Sequence, residues 1–230
     1  MPHAFNDLQA AIVDLDGTMV DTLGDFVAAL DATLAELALP PVPAAVVARM
    51  VGKGSEHLLR AVLAHLGAAP GHYTAAWDAY QRHYLAINGL HSAIYPGVAL
   101  GLQLLRDQGL ALACVTNKPG GFALPLLRAK GLDGYFDRVF GGDAFERKKP
   151  DPLPLLRTCT ALGSQPARTL VIGDSANDAQ AARAAGCPVL LVTYGYNHGE
   201  PVRGVDADGF LDSLARVGDW LRPACPATRP

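Results

Sequence analysis

Long apolar runs, closely spaced cysteines, aromatic side chains and a surplus of basic charge are all scarce in this chain of 230 residues. No stretch approaches the ~18 consecutive apolar residues of a membrane-spanning helix. The N-terminal MPHAFNDLQAA has neither the basic nor the apolar segment of a secretory signal. A cytoplasmic location with no membrane partner is therefore expected. Four cysteines (Cys114, Cys159, Cys187, Cys225) stand far apart, without a CxxC pair or a Cys/His zinc spacing, and a chain of this size needs no disulfide staples. They read as free thiols. Nineteen Lys+Arg against 22 Asp+Glu leave a formal charge of -3, which provides no field to recruit nucleic acid. What the chain does have is 50% apolar side chains, enough to bury a real core and unlike a disordered or collagen-like composition. One large domain, or one domain carrying a smaller insert, fits that length.

The apolar run at residues 10–13 ends abruptly in Asp14-Leu15-Asp16-Gly17-Thr18, which reads as a buried strand delivering carboxylates at its C-terminal end. Helix signals follow. Asp21 or Thr22 can cap a helix whose apolar stripe (Leu23, Phe26, Leu30, Leu34) runs to Pro40-Pro41. A second helical stretch at 44–51 is broken by Gly52-Lys53-Gly54, a third begins at Ser55 as cap, and a fourth lies around 77–87. From Tyr95-Pro96-Gly97 onward the pattern alternates: helix 98–108, strand 110–116, helix 120–131, a short strand at 139–140, helix 152–162, strand 169–174, helix 177–185, strand 189–192. Strands separated by helices give right-handed βαβ units and a parallel sheet covered on both faces. The expected architecture is α/β: a Rossmann-like core from residues 1–21 and 93–230, with a helical cap, residues 22–92, inserted after the first strand. The tail 222–230 carries three prolines and no apolar period, and reads as frayed.

Open α/β sheets bind ligands outside the carboxyl ends of their strands. Those ends carry Asp14 and Asp16, Thr116 and Asn117, and Asp174, with Asp178 four residues on and Lys149 in a Lys-Lys-Pro turn. Carboxylates gathered at ~4 Å repel by roughly 4 kcal/mol per pair at an effective dielectric near 20, so such a cluster calls for a cation. Oxygen donors open to water favour Mg²⁺ with phosphate over zinc. Around it, Lys149, the Thr116 hydroxyl and the Asn117 backbone N–H can hold phosphoryl oxygens. In-line attack by Asp14 on phosphorus would form an aspartyl-phosphate, and Asp16 can serve as acid and then as base. Taken singly, an Asp-Gly turn, a Gly-Asp-Ser cap or a Lys before Pro is ordinary. The argument lies in their joint order along the strand tips.

That ordered set resembles the haloacid dehalogenase superfamily, with Asp14 to Thr18, Thr116, Lys149 and Gly173-Asp174-Ser175-Ala176-Asn177-Asp178 as its four motifs. The resemblance implies Asp14 as nucleophile, Asp16 as acid/base, and Thr116 and Lys149 as phosphate binders. It implies Mg²⁺ held by Asp14, the backbone carbonyl of Asp16 and Asp174, with Asp178 holding a metal-bound water or orienting Lys149. An acid two residues after the nucleophile implies phosphoester rather than dehalogenase chemistry. Within the superfamily, the stretches CVTNKP, GGDAFERKKPDPLPL, GDSANDAQAARAAGCP and TYGYNHGE are similar to the bacterial phosphoglycolate phosphatase family. This implies hydrolysis of a small phosphorylated metabolite, 2-phosphoglycolate first.

Substrate choice is expected to rest on the cap, where the loop Val51-Gly52-Lys53-Gly54-Ser55 would face the leaving group and Lys53 suit a carboxylate. Alternatives are a sugar-phosphate phosphatase, a β-phosphoglucomutase-like mutase and, in a different class, a receiver-type phosphorylation module, which has roughly half this length and no insert. His57, His65, His72, His83 and His91 share no metal spacing and read as surface or satisfied groups. Trp77, Tyr80 and Tyr84 read as packing, and Tyr194, Tyr196 and His198 as candidates for the site entrance. The sequence leaves the oligomeric state open.

Overall fold

The computed structural model describes residue 5 and residues 7–221; Cys225 and the tail 222–230 lie outside them. Strand β1 (Ala10–Val13) is buried along its whole length. It is paired in parallel on one side with β4 (Ala111–Val115) and on the other with β6 (Thr169–Gly173). With β5 (Arg138–Phe140), β7 (Val189–Val192) and β8 (Gly209–Leu211) the sheet runs β5-β4-β1-β6-β7-β8, all parallel. Alternation along β1 divides the core: Ala11 and Val13 pack with Leu102, Leu112 and Leu126 on one face, and Ile12 with Leu155, Val171 and Ala182 on the other. A strand buried on both faces needs apolar residues throughout, which is why AAIV carries no polar member.

Helices α5 (Val98–Asp107), α6 (Gly120–Ala129), α7 (Leu153–Leu162) and α8 (Ala176–Ala185) make the crossovers. The chain leaves β1 for β4 and β5 on one side, then returns across it to β6, β7 and β8 on the other. That reversal at β1 opens the crevice in which α/β folds bind ligands.

Between β1 and β4 the chain passes through a two-stranded antiparallel ribbon, β2 (Val20–Asp21) with β3 (Ala93–Ile94), paired Val20 to Ile94 and Asp21 to Ala93. The sequence shows neither strand, since two residues carry no period. Between the ribbon strands stand α1 (Leu23–Glu36), α2 (Ala44–Ala48), α3 (Ser55–His65) and α4 (His72–Ile87). Their own apolar cluster is built from Phe26, Leu30, Leu34, Leu59, Val62 and Tyr80. Trp77, Tyr80 and Tyr84 form a stacked series along α4, with centroids 6.4 and 5.5 Å apart, a packing role as expected from their spacing.

Of the two candidate caps of α1, Asp21 accepts from Leu23 N at 3.3 Å through Oδ1; the Thr22 alternative and the Ser55 cap are corrected. Thr22 precedes α1 but makes no side-chain cap; its hydroxyl donates to Asp16 Oδ1 at 2.8 Å instead. The Tyr196 hydroxyl serves that helix end by accepting from Thr22 N and Leu23 N at 2.9 and 3.0 Å. Likewise the cap position of α3 is Gly54, with φ of 89°, and Ser55 is already the first helical residue. Asp25, fully buried in the first turn of α1, accepts from Gly89 N and His91 N at 2.8 and 2.7 Å, fastening the outgoing and returning segments together. Cys114, Cys159 and Cys187 are buried and free, and among the described residues no helix is long and apolar enough to cross a membrane.

Candidate active site

Three of the four acidic groups expected to meet do meet, and the fourth, Asp16, pairs with Lys118 and Thr22. Asp14 leaves the end of β1, and Asp174 the end of β6; Asp178 lies in the first turn of α8. Carboxylate oxygens of these three residues all lie within 4.8 Å of one another. At that separation each pair of charges repels by about 3–4 kcal/mol at an effective dielectric near 20. Burial compounds the cost. It pushes the Asp14 carboxyl up to about 7 against the pull of Lys149, with Asp178 adding to the rise. Burial, Asp178 and Asp14 together push Asp174 well above its ordinary value.

Lys149 is the local counterweight, 5% exposed. Its Nζ donates to Asp178 Oδ1 at 2.7 Å and to the Val115 carbonyl at 2.8 Å, and lies 3.0 Å from Asp14 Oδ1. Burial pulls the Lys149 ammonium down, and Asp14 and Asp178 overcome it to push the pKa above the ordinary value. The contact to Asp14 is an ion pair without hydrogen-bond geometry, so this buried oxygen has no donor of its own. Asp178 is held from its other oxygen, which accepts from Ser175 N at 3.2 Å and Ser175 Oγ at 2.8 Å. The Gly-Asp-Ser turn is thus a helix cap and part of the site at once.

Asp174 sits in a cradle that only glycine permits. A Cβ on Gly17, where φ is +82°, would stand 2.2 Å from Asp174 Oδ2, and one on Gly195 would stand 2.2 Å from Asp174 Cβ. Tyr196 N donates to Asp174 Oδ2 at 2.6 Å. The orphaned Asp14 oxygen, the converging carboxylates and a donor set of oxygens alone fit a hard divalent cation rather than zinc. Counting Asp16 and Lys118, four carboxylates face two ammonium groups. The deficit of two positive charges is what such a cation carries.

Asp16, 9% exposed, accepts from Thr22 Oγ1 and from Lys118 Nζ, the latter at 3.0 and 3.3 Å to its two oxygens. Lys118 was not singled out from the sequence. The available signal was its position, two residues past Thr116 at a strand tip where ligands bind. Thr116 and Asn117 are buried beside it, and Thr116 Oγ1 accepts from Lys118 N at 3.2 Å. The side chain of Asn117 is committed elsewhere, donating to the carbonyls of Lys149 and Gly52 at 2.9 and 3.0 Å. Asn177 donates to the same Gly52 carbonyl at 3.2 Å. Two core amides thus hold one carbonyl of the loop before α3 against the catalytic edge.

Asp14, Asp16, Thr116, Asn117 and Lys118 enclose, with Phe26, Val51, Gly52, Gly54, Ser55 and Leu58, a cavity of about 20 Å³. This is room for roughly one or two waters, so the helical insert stands closed and must part to admit a substrate. Lys53 does not line the cavity; its side chain is exposed, while its neighbours Gly52, Gly54 and Ser55 face inward. The residues expected at the entrance are half-buried and brace the site. Besides its contacts above, Tyr196 pairs through its hydroxyl with Asp21. Tyr194 donates to the Thr18 carbonyl at 2.9 Å, and His198 lies 3.2 Å from Asn177. Among the histidines, His83 pairs with Glu36 at 2.9 Å.

Residues 11–192 match the family model described as haloacid dehalogenase-like hydrolase. The chain is 44% identical over 213 residues to a phosphoglycolate phosphatase of Thiobacillus denitrificans, covering 91% of this chain and 94% of that one. It is 44% identical over 216 residues to a plasmid-borne phosphoglycolate phosphatase of Cupriavidus necator, covering 94% of each. The crystal structure of a predicted phosphoglycolate phosphatase from Haemophilus somnus superposes with a TM-score of 0.90 at 30% identity, over 94% of this chain and 98% of that one.

Proposed function

The chain belongs to the haloacid dehalogenase-like hydrolases, and from that premise we propose that it is a Mg²⁺-dependent phosphatase hydrolysing 2-phosphoglycolate to glycolate and phosphate. The observation that carries the reading is the meeting of Asp14, Asp174 and Asp178 around Lys149, with Asp16 on the cavity wall. Relatives at 44% identity named for this activity support the choice of substrate.

In this reading the Asp14 carboxylate attacks phosphorus in line, forming an aspartyl-phosphate as the ester oxygen departs. Asp16 gives its proton to that oxygen and then takes one from the water that opens the acyl-phosphate. The Thr116 hydroxyl, the Asn117 N–H and the Lys149 ammonium hold the phosphoryl oxygens as charge shifts among them. Asp14, Asp174 and the backbone carbonyl of Asp16 would hold Mg²⁺, while Asp178 orients Lys149. When bound, the ion supplies charge neutralisation for the transferring group. Closure of the insert keeps bulk water out, which strengthens each of these contacts.

The test is phosphate release, with Mg²⁺, across 2-phosphoglycolate, sugar phosphates and nucleoside monophosphates. A clear preference for 2-phosphoglycolate is expected; a preference for a sugar phosphate, or its isomerisation without release, would replace this reading.

Metal binding should also be visible in stability. The Asp14 carboxyl stands at about 7 in the folded protein against an ordinary 3.8, so between those values the folded state keeps a proton that the unfolded chain has lost. Metal-free stability therefore falls as pH rises through that window, and the loss is complete above it. Mg²⁺ needs the deprotonated carboxylates, so its contribution grows over the same range. At a hundredfold excess over Kd the ion adds about 2.7 kcal/mol, or about 5–10 °C in Tm for a chain of this size. Thermal melts in Mg²⁺ and in EDTA between pH 5.5 and 8 should diverge with rising pH. A constant difference would show that the carboxylates are not its ligands.

A further inference from the structure

Among the described residues Lys118 is the one cationic side chain lining the cavity, and the mechanism above gives it no task. Its side chain is 1% exposed. Its Nζ lies 4.4 Å from the Phe26 ring centroid and 4.7 Å from that of Tyr84, and donates to the Tyr84 hydroxyl at 2.6 Å. Phe26 and Tyr84 belong to α1 and α4, so the insert places its aromatic faces over a core ammonium. Removing an ammonium from water to this degree is costly unless anions face it. Asp16 is one. The contacts of 3.0 and 3.3 Å to the two Asp16 oxygens are the geometry of a single shared N–H, which leaves a third donor beyond the Tyr84 bond.

The position relative to the chemistry decides what that donor can reach. An acid transferring a proton to the leaving oxygen lies about 2.6–3.2 Å from it. Lys118 Nζ lies 3.0 Å from Asp16 Oδ1, and so stands within about 6 Å of the leaving oxygen. In 2-phosphoglycolate one methylene separates that oxygen from the carboxylate, whose own oxygens lie roughly 3 Å away by ordinary bond lengths. Opposite the core carboxylates, the insert's side of the cavity wall is apolar or neutral: Phe26, Val51, Leu58, Ser55 and the two loop glycines.

We propose that Lys118 binds the carboxylate of the substrate and sets a preference for phosphomonoesters bearing a second anionic group one carbon from the ester oxygen. Lys53, exposed outside the cavity, does not perform this role. The inference rests on the phosphatase reading above and names the residue that selects its substrate.

The experiment compares kcat/KM for 2-phosphoglycolate and for 2-hydroxyethyl phosphate, which has the same skeleton without the charge. Lys118 also touches Asp16, so Lys118→Met lowers turnover of both substrates. The ratio between them isolates the carboxylate. It is expected to fall about tenfold to a hundredfold, mainly through KM, in Lys118→Met and in the milder Lys118→Gln, and to stay within about twofold in Lys53→Met. A ratio preserved in the Lys118 variants overturns the proposal, as does a collapse in Lys53→Met alone. Should neither Lys118 variant fold, the wild-type enzyme decides. The non-hydrolysable 3-phosphonopropionate must inhibit at least about tenfold more tightly than propylphosphonate, and equal inhibition overturns the assignment. A wild-type enzyme that releases no phosphate from 2-phosphoglycolate overturns the proposed function itself. One that hydrolyses it while the ratio survives overturns only the role of Lys118.

Discussion

Replacing Asp14 by Asn is expected to reduce phosphate release from both 2-phosphoglycolate and p-nitrophenyl phosphate by on the order of 10⁴-fold or more, the scale on which loss of a nucleophile is felt. The amide keeps the size of the carboxylate but cannot attack phosphorus. It should not unfold the protein. Asp14 Oδ1 is a buried, donorless oxygen facing two other carboxylates, and its pKa of about 7 shows that burial already disfavours the charge. Asp14→Asn should therefore leave the metal-free Tm unchanged or raised, while the gain from Mg²⁺ shrinks. The combination separates a lost nucleophile from a damaged fold. Turnover near the wild-type level would remove Asp14 from the chemistry.

Lys149→Met should act in the opposite sense on stability. Its ammonium stands 2.7 Å from Asp178 Oδ1 and 3.0 Å from Asp14 Oδ1, and satisfies the Val115 carbonyl. Taking it away leaves buried carboxylates facing one another without a counter-ion. Breaking one side of such a pair costs about 3–5 kcal/mol, or roughly 6–20 °C in Tm for a chain of this length, measured in EDTA. Mg²⁺ should restore part of the stability, because it supplies positive charge to the same carboxylates. Activity should not return with it, since the phosphoryl oxygens have lost a donor. A metal-free Tm within about 2 °C of wild type would mean that Lys149 is not the cluster's counter-ion.

Much of this site was legible because its chemistry is concentrated at strand ends. An apolar run stopping at Asp14, and another stopping at Asp174, mark the two places where a parallel sheet presents side chains to a ligand. Their convergence follows from β1 and β6 being neighbours. Five of the six strands of the parallel sheet, the three-residue β5 among them, could be read because apolar runs alternated with helical stripes. Strand β8 could not, since Gly209–Leu211 is three residues between Asp208 and Asp212 at the sheet edge. The choice between Asp21 and Thr22 as cap of α1 turns on a long-range partner. Thr22 is a plausible helix cap by type, yet Asp16 claims its hydroxyl, and nothing local to the sequence announces that. Lys53 is the lysine the sequence points to, and Lys118 goes unmarked there for a related reason. Both look like solvated lysines in the sequence, and only the packing of Phe26 and Tyr84 distinguishes the buried one from the exposed one.

The ribbon of β2 and β3 has a consequence for how specificity can change. The chain departs the sheet at Asp21 and comes back at Ala93, and these two residues are partners across one antiparallel pair. Everything between them is therefore joined covalently to the core through a single narrow stem, with its two ends side by side. An exchange of residues 22–92 for the corresponding stretch of a relative, joined at that register, would present new walls to the same carboxylates without rethreading the sheet. A modular graft of this kind alters which molecule is admitted and keeps the core carboxylates on their strands, provided the new stretch again supplies a hydroxyl at position 22 for Asp16.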